Sequence, residues 1–253
     1  MTTSPESPII QIERRKAIAV IASALILAVA LAFGLMQVGS GFATRADNGI
    51  IVTGSARTQA TADNAVWTLS VSLSSTKVAD AVTKVGSDVE AVTKYLKSGG
   101  IPSDALTLGP VSTYANEEYL NGNSTGRILS YRASRDITVR TKDVQLVSKL
   151  SQGIGVILQT GVSVNNYGPQ YYISTLQELR PQLLEEAMKD AKVRAVAITK
   201  AVGGSVGSVV SVKSGVFQVT TPDSTMTADF GAYDTSTIEK TVTSTVSVTF
   251  KTK

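Results

Sequence analysis

The sequence predicts an α+β fold: an antiparallel or mixed sheet, or sheets, packed against two long amphipathic helices and preceded by one N-terminal transmembrane helix. Three observations predict it. Trp67, Leu69, Val71 and Leu73 alternate with Thr68, Ser70 and Ser72, the period of a half-buried strand, and Val242 to Phe250 repeats the pattern. Two longer stretches, beginning near Val78 and near Arg180, carry apolar residues at steps of three and four, the spacing of one helix face. Ahead of both, residues 17–38 form one uncharged apolar run.

Residues 1–16 are polar, contain two prolines and are expected to be a cytoplasmic tail. The run 17–38 has no charge before Arg45, and a helix needs about 20 apolar residues to cross a bilayer. Arg14, Arg15 and Lys16 sit immediately before it, so the positive-inside rule puts the N-terminus in the cytoplasm. The expected product is a single-pass, signal-anchored protein of the cell membrane, with residues 39–48 as a linker and 49–253 as one extracytoplasmic domain. A cleaved signal peptide is the alternative, with Gly41-Phe42-Ala43 as a small-x-small site before Thr44. The apolar run is longer than an ordinary signal core, and both readings give the same compartment.

Within 49–253, Ile50 to Ala56 reads as a first strand, Asp63-Asn64 as a turn and Trp67–Leu73 as a second strand. Val78, Val82, Val85, Val89, Val92 and Leu96 then make one helical stripe, with Lys84, Asp88, Glu90 and Lys94 off it. Gly99-Gly100 and Pro102 end that helix. Leu106 to Tyr114 is a strand, Asn116 to Gly126 a hairpin-like polar excursion, and Ile128 to Thr141 a long strand. Asp143 can cap a short helix that buries Val144, Val147 and Leu150. Val162 to Thr175 is strand-like, broken at Gly168-Pro169.

The second long helix carries Leu184, Ala187, Ala191, Ala195, Ile198 and Val202 on its stripe, and alanine there lets it lie close to its support. Pro181 fits a first turn, so regular helix is expected from near Arg180 to Gly203-Gly204. Val206 to Thr220 is strand-like, Thr221 to Ser236 a loop, and the chain closes on an edge or closing strand over 241–252.

Composition excludes much chemistry. The 253 residues contain no Cys and no His. That removes disulfides, thiolate nucleophiles, Cys-ligated zinc, the usual general base and the Ser-His-Asp triad. The net charge of +4 is spread among interleaved acids and bases, so no nucleic-acid footprint is present.

Four segments together resemble the SIMPL-domain family, extracytoplasmic bacterial proteins of unknown function. Val52-Thr53-Gly54-Ser55-Ala56 with Ala62-Asp63 is similar to its opening glycine strand and turn, with Ala62 where Pro is usual. Ser98-Gly99-Gly100-Ile101-Pro102 with Asp104 is similar to its Gly-Ile passage. Tyr131-Arg132-Ala133-Ser134 resembles its Gly-Tyr-x-Ala-Ser-Asn strand, with Ser130 for Gly and Arg135 for Asn. Glu186-Ala187, Asp190-Ala191-Lys192, Ala195 and Gly203 resemble its Ala-rich helix, whereas Val164 to Pro169 departs from its pattern. The resemblance covers roughly Ile50 onward and implies a fold and an envelope location, with no catalytic residues.

Several other residues form site-like patterns. Adjacent carboxylates at Glu117-Glu118 and Glu185-Glu186 do not converge on a strand or helix. Asp223, Asp229 and Asp234 share a loop, but their spacing fits no calcium loop. Ser74-Ser75-Thr76-Lys77 lacks the partner motifs of a Ser-x-x-Lys nucleophile. Gly203, Gly204 and Gly207 follow a helix, where a phosphate loop precedes one. Tyr167, Tyr171 and Tyr172 could face a partner or fill the sheet.

No catalytic, cofactor-binding or metal-binding residue is therefore assigned, and no cofactor is implied. The expected function is a non-enzymatic structural or interaction module of the cell envelope. It is expected to form a homo-oligomer through the strand over 241–252 if that strand lies at the sheet edge, the alternative being a central strand paired on both sides within one chain; the membrane and an envelope protein are the expected partners, and no nucleic acid is. The alternatives are a small-ligand-binding envelope protein or a hydrolase using only Ser, Asp or Lys.

Overall fold

The computed structural model describes residues 21, 25–36, 49–225 and 230–253. The expected cytoplasmic tail, the linker and most of the remaining N-terminal residues lie outside these. Residues 25–36 form helix α1, with every side chain exposed. Among the described residues no helix is long and apolar enough to cross a membrane, because only part of 17–38 is described.

The rest is α+β with two sheets. In chain order it comprises β1 (Ile50–Thr61), β2 (Asn64–Ser75), α2 (Val78–Ser98), a 3₁₀ turn, β3 (Leu106–Leu108), β4 (Ser112–Leu120) and β5 (Asn123–Thr141). Then follow α3 (Val144–Gly153), α4 (Gly155–Gln159), β6 (Val164–Tyr172), α5 (Leu176–Ala201), β7 (Val206–Ser214), β8 (Gln218–Thr220) and β9 (Glu239–Thr252).

The chain divides into two compact units. The larger takes Val52–Arg194 and Val212–Val248. Its five-stranded sheet has the order β3-β5-β2-β6, with β4 also on β5, and every pairing is antiparallel. Trp67, Leu69 and Val71 of β2 oppose Val139, Ile137 and Arg135 of β5, and the first five of these six are fully buried. Helices α2 and α3 pack on this sheet. The smaller unit takes Ala195–Ser211 and Thr249–Lys253 with the described residues before Val52. There Ser205 and Lys253 exchange two backbone hydrogen bonds of 2.9 Å.

Several expectations hold. Asp143 caps α3 by accepting from the Leu146 N–H at 2.9 Å, and Val144, Val147 and Leu150 are buried. Helix α2 stops at Gly99-Gly100, with Gly100 at φ 106° and its N–H donating to the Lys97 carbonyl. The polar excursion is a hairpin closed by Asn121-Gly122, both at positive φ, the two-residue turn whose twist matches its strands. At Gly168-Pro169 the β2–β6 register shifts.

Others need correction. Asp88 is buried at 2% exposure, because it lies two turns beyond Ala81, which is the true flank of the stripe. Its Oδ1 accepts from Lys84 at 2.7 Å. Leu106 to Tyr114 is two strands, separated at Gly109-Pro110 where proline offers no N–H.

Helix α5 begins at Leu176, with Pro181 inside it. Leu176 and Leu179 pack into a cluster with Ile173, Leu183, Val219 and Val242, which offsets the one hydrogen bond proline removes. The buried row of α5 is Leu183, Ala187, Ala191, Ala195 and Thr199, a strict step of four; Ile198 and Val202 are exposed.

The largest correction concerns β9. It is the central strand of the four-stranded sheet, flanked by β1 on one side and by β7 and β8 on the other. It therefore offers no free edge to another copy.

Candidate functional site

Helix α5 approaches β1 at Gly54. A Cβ there would sit 2.1 Å from the Ala187 carbonyl oxygen and 2.5 Å from the Ala191 nitrogen. This close approach is what the alanine row permits. Beside it the Ser55 N–H, on an edge strand, donates to Asp190 Oδ2 at 2.8 Å, and Arg194 Nε donates to the same oxygen at 2.8 Å. The Ser55 amide first, and Arg194 with it, hold the Asp190 carboxyl below the usual carboxylate range. Asp190 thus covers a donor that β1 would otherwise present to another strand.

The densest polar cluster lies just before β9. Asp234 Oδ1 accepts from the Ser236 N–H at 3.1 Å and Oγ at 2.6 Å. Its Oδ2 accepts from the Thr237 N–H at 3.2 Å and Oγ1 at 2.6 Å, and from Lys240 Nζ at 2.9 Å. Lys240 Nζ also donates to the Asp234 carbonyl at 2.6 Å, and its side chain is fully buried. Burial opposes ionisation of Asp234, yet the donors from Ser236, Thr237 and Lys240 outweigh it and hold the carboxyl well below the ordinary 3.8.

Every lone pair that could take a proton or a metal is thereby occupied. The arrangement is a clasp that fixes the segment entering β9. Burying Lys240 is tolerable because its charge is paired and hydrogen-bonded. Nearby, Tyr233 packs against Tyr172 at 6.0 Å, and its hydroxyl accepts from the Ile173 N–H at 3.0 Å.

A groove of about 650 Å³ runs beside the clasp, between the polar face of α3, the Tyr167–Tyr171 segment of β6 and Ser236–Glu239. Tyr167 stands 82% exposed, while Tyr171 is buried. Three of its hydroxyls are committed: Ser151 Oγ donates to the Ser148 carbonyl, and Ser236 and Thr237 donate to Asp234. Glu239 accepts from Thr61 Oγ1 at 2.9 Å. The groove can hydrogen-bond and stack, but no nucleophile in it is paired with a free base.

The other weighed residues are separated. Glu117 and Glu118 each engage the facing strand, Glu117 through Ser124 and Glu118 through Arg127 and Thr125. Glu185 pairs with Lys189 at 2.6 Å, and Glu186 accepts from Gln182 at 3.0 Å. Asp223 lies in a turn, and Asp229 lies outside the described residues. Lys77 precedes α2, and Gly203, Gly204 and Gly207 follow α5. Among the described residues no three acidic groups gather to hold a metal. Lys240 was missed in the sequence; the available signal was Asp234-Thr235-Ser236-Thr237, a run suited to side-chain-to-backbone turns.

No curated protein matches the chain. Among solved structures, a protein from Burkholderia cenocepacia, provisionally described as an amidohydrolase/peptidase, is similar at 15% identity. The match covers 55% of this chain and 36% of that one, about a third of its length, with a TM-score of 0.23. A hydrolase from Listeria innocua is similar at 7% identity over 78% of this chain and 91% of that one, with a TM-score of 0.19. Neither likeness is close enough to carry an argument. The family comparison is decisive: residues 50–250 match the model of SIMPL, "Protein of unknown function (DUF541)", and the chain belongs to that family.

Proposed function

We propose that this protein is a membrane-anchored, extracytoplasmic module of the cell envelope that acts by association and performs no catalysis. One observation carries the reading. Helix α1 is apolar on every face and exposes all of them, with Ile26 at 70%, Phe33 at 66% and Met36 at 76%. A helix apolar all round belongs in a hydrophobic surround, and the basic residues at 14–16 set its direction. The saturated clasp at Asp234 and the committed hydroxyls around it support the non-enzymatic part.

Self-association is retained in this proposal, with a different contact. Strand β7 ends the order of its sheet and exposes Val209, Val210 and Val212 at about half their surface, with no charge before Lys213. It is the edge most open to a second copy or to an envelope protein.

Fusing a reporter after Lys253 tests the anchor. The fusion is expected to be active outside the cytoplasm and to resist alkaline extraction from membranes. A soluble product beginning near Thr44 would refute the anchor.

A further inference from the structure

We propose that the groove along helix α2 is a binding site for an amphiphilic anion, an oxyanion head carried on an aliphatic body. The groove holds about 450 Å³, within the range of small-molecule sites. One wall is a single face of α2, from Gly86 through Glu90, Thr93 and Lys94 to Lys97, spaced by three and four residues. The other wall carries Leu108 and Arg135.

Arg135 is the first reason. It stands opposite Val71, two residues from Ile137, on the face of β5 that α2 covers. A guanidinium is costly in such a half-buried place unless it is satisfied. Its Nε donates to the Gly109 carbonyl at 2.8 Å, which fixes the plane of the group. That uses one of five N–H donors. No ion pair among the described residues includes Arg135, Lys94 or Lys97. Three cations therefore face one groove whose only carboxylate is Glu90. The negative end of the helix explains a lysine near its C-terminus, but not an arginine on the facing strand.

Thr93 is the second reason. Its hydroxyl lines the groove, is buried and has no hydrogen-bond partner. A helical threonine ordinarily satisfies its hydroxyl on the preceding turn, so this one is left for something not supplied by the chain.

Gly86 is the third. Glycine inside a helix costs roughly 1 kcal/mol against alanine. It is tolerated where the backbone needs positive φ or where a neighbour crowds it. Gly86 has neither, for a Cβ there would meet nothing within 4 Å. What its missing side chain leaves is room in the groove. Val89 and Leu108 supply the apolar lining that suits an aliphatic body.

The test is calorimetric titration of the full chain, in phosphatidylcholine nanodiscs, with hexyl phosphate. Empty discs serve as the blank. Saturable binding is expected, weaker with inorganic phosphate and absent with hexanol. Gly86→Leu puts a side chain into the groove from a position where its Cβ meets nothing within 4 Å, and is expected to weaken hexyl phosphate binding by at least about tenfold while the melting temperature holds or rises. Lys94→Gln with Lys97→Gln is expected to lose a similar factor through lost charge-assisted hydrogen bonds.

Discs of phosphatidylglycerol separate two sources of the same chemistry. Loss of hexyl phosphate binding there identifies a membrane lipid headgroup as the occupant, and retention identifies a soluble amphiphile. Absence of saturable heat, equal binding of hexanol, or binding unchanged in both the Gly86 and the double lysine variants would overturn the proposal.

Discussion

Replacing Gly54 with alanine isolates the contact on which the α5 layer depends. The added Cβ would lie 2.1 Å from the Ala187 oxygen, 2.5 Å from the Ala191 nitrogen and 2.7 Å from the Ala191 Cβ. Ordinary contact begins at 3.4 Å, so the helix must retreat by more than 1 Å. Two of the three atoms are backbone, and no rotamer change relieves them. Retreat would loosen the whole row from Leu183 to Ala195, which is buried against its support. Overpacking of this kind costs about 1–3 kcal/mol and occasionally more. Removing a glycine from a strand returns roughly 0.5–1 kcal/mol. Because the clash is with backbone, the upper end applies, and a net loss of about 2 kcal/mol is expected. For a domain of this size that lowers the melting temperature by about 4–8 °C. Denaturation of the full chain, followed by circular dichroism and by calorimetry, measures it. Adding Ala191→Gly removes only the third contact, so little recovery is expected. An unchanged midpoint for Gly54→Ala, or full recovery in the double variant, would refute the close-approach reasoning.

Two further outcomes follow from the clasp and from the sheet edge. The depressed carboxyls of Asp63, Asp190 and Asp234 contribute stability that is present above the ordinary value of 3.8 and is lost as pH falls below it. The denaturation midpoint is therefore expected to be level from pH 7 to about 5 and to fall below about 4; Asp234→Asn should lower it at neutral pH and flatten that acid limb, whereas an unaltered acid limb would show that the clasp is not ionised in the fold. Val210→Lys in β7 is expected to shift light scattering of the full chain toward monomer with its melting temperature unchanged, and a mass identical to the parent's would remove β7 as the contact.

Most of the local structure was legible because it is set by nearby residues. The alternation through Trp67 and Leu69, the cap at Asp143 and the stop at Gly99-Gly100 each depend on a few positions. The misreadings share a different cause. Asp88 is buried because the flank of α2 that carries it with Ala81 is the one packed on the sheet, and Pro181 sits inside α5 because Leu176 and Leu179 find a core; in both cases tertiary contacts override local preference. Lys240 reads as an exposed lysine until a loop folds a carboxylate over it. The alternation in β9 was plain, but alternation tells which face is buried and is silent on which edges are paired. The family resemblance was carried by Gly54 and Asp190, among others, and the structure gives those two a shared purpose: one lets α5 approach β1 and the other ties the two together.

The central place of β9 has a consequence for the order of events during biogenesis. Thr61, at the end of β1, hydrogen-bonds to Glu239 at the start of β9, 178 positions later. β1 has no partner in its own sheet until β9 arrives, and neither has β7. Pairing across so long a separation is slow, since the loop must close before any contact rewards it. A chain that folds as it is made can therefore form α2 and the meander around β2 and β5 early, yet must keep its four-stranded sheet open until the segment after Thr237 is available. During that interval Val52 of β1, buried in the finished fold, stands uncovered, the moment at which a holding chaperone would have most to do.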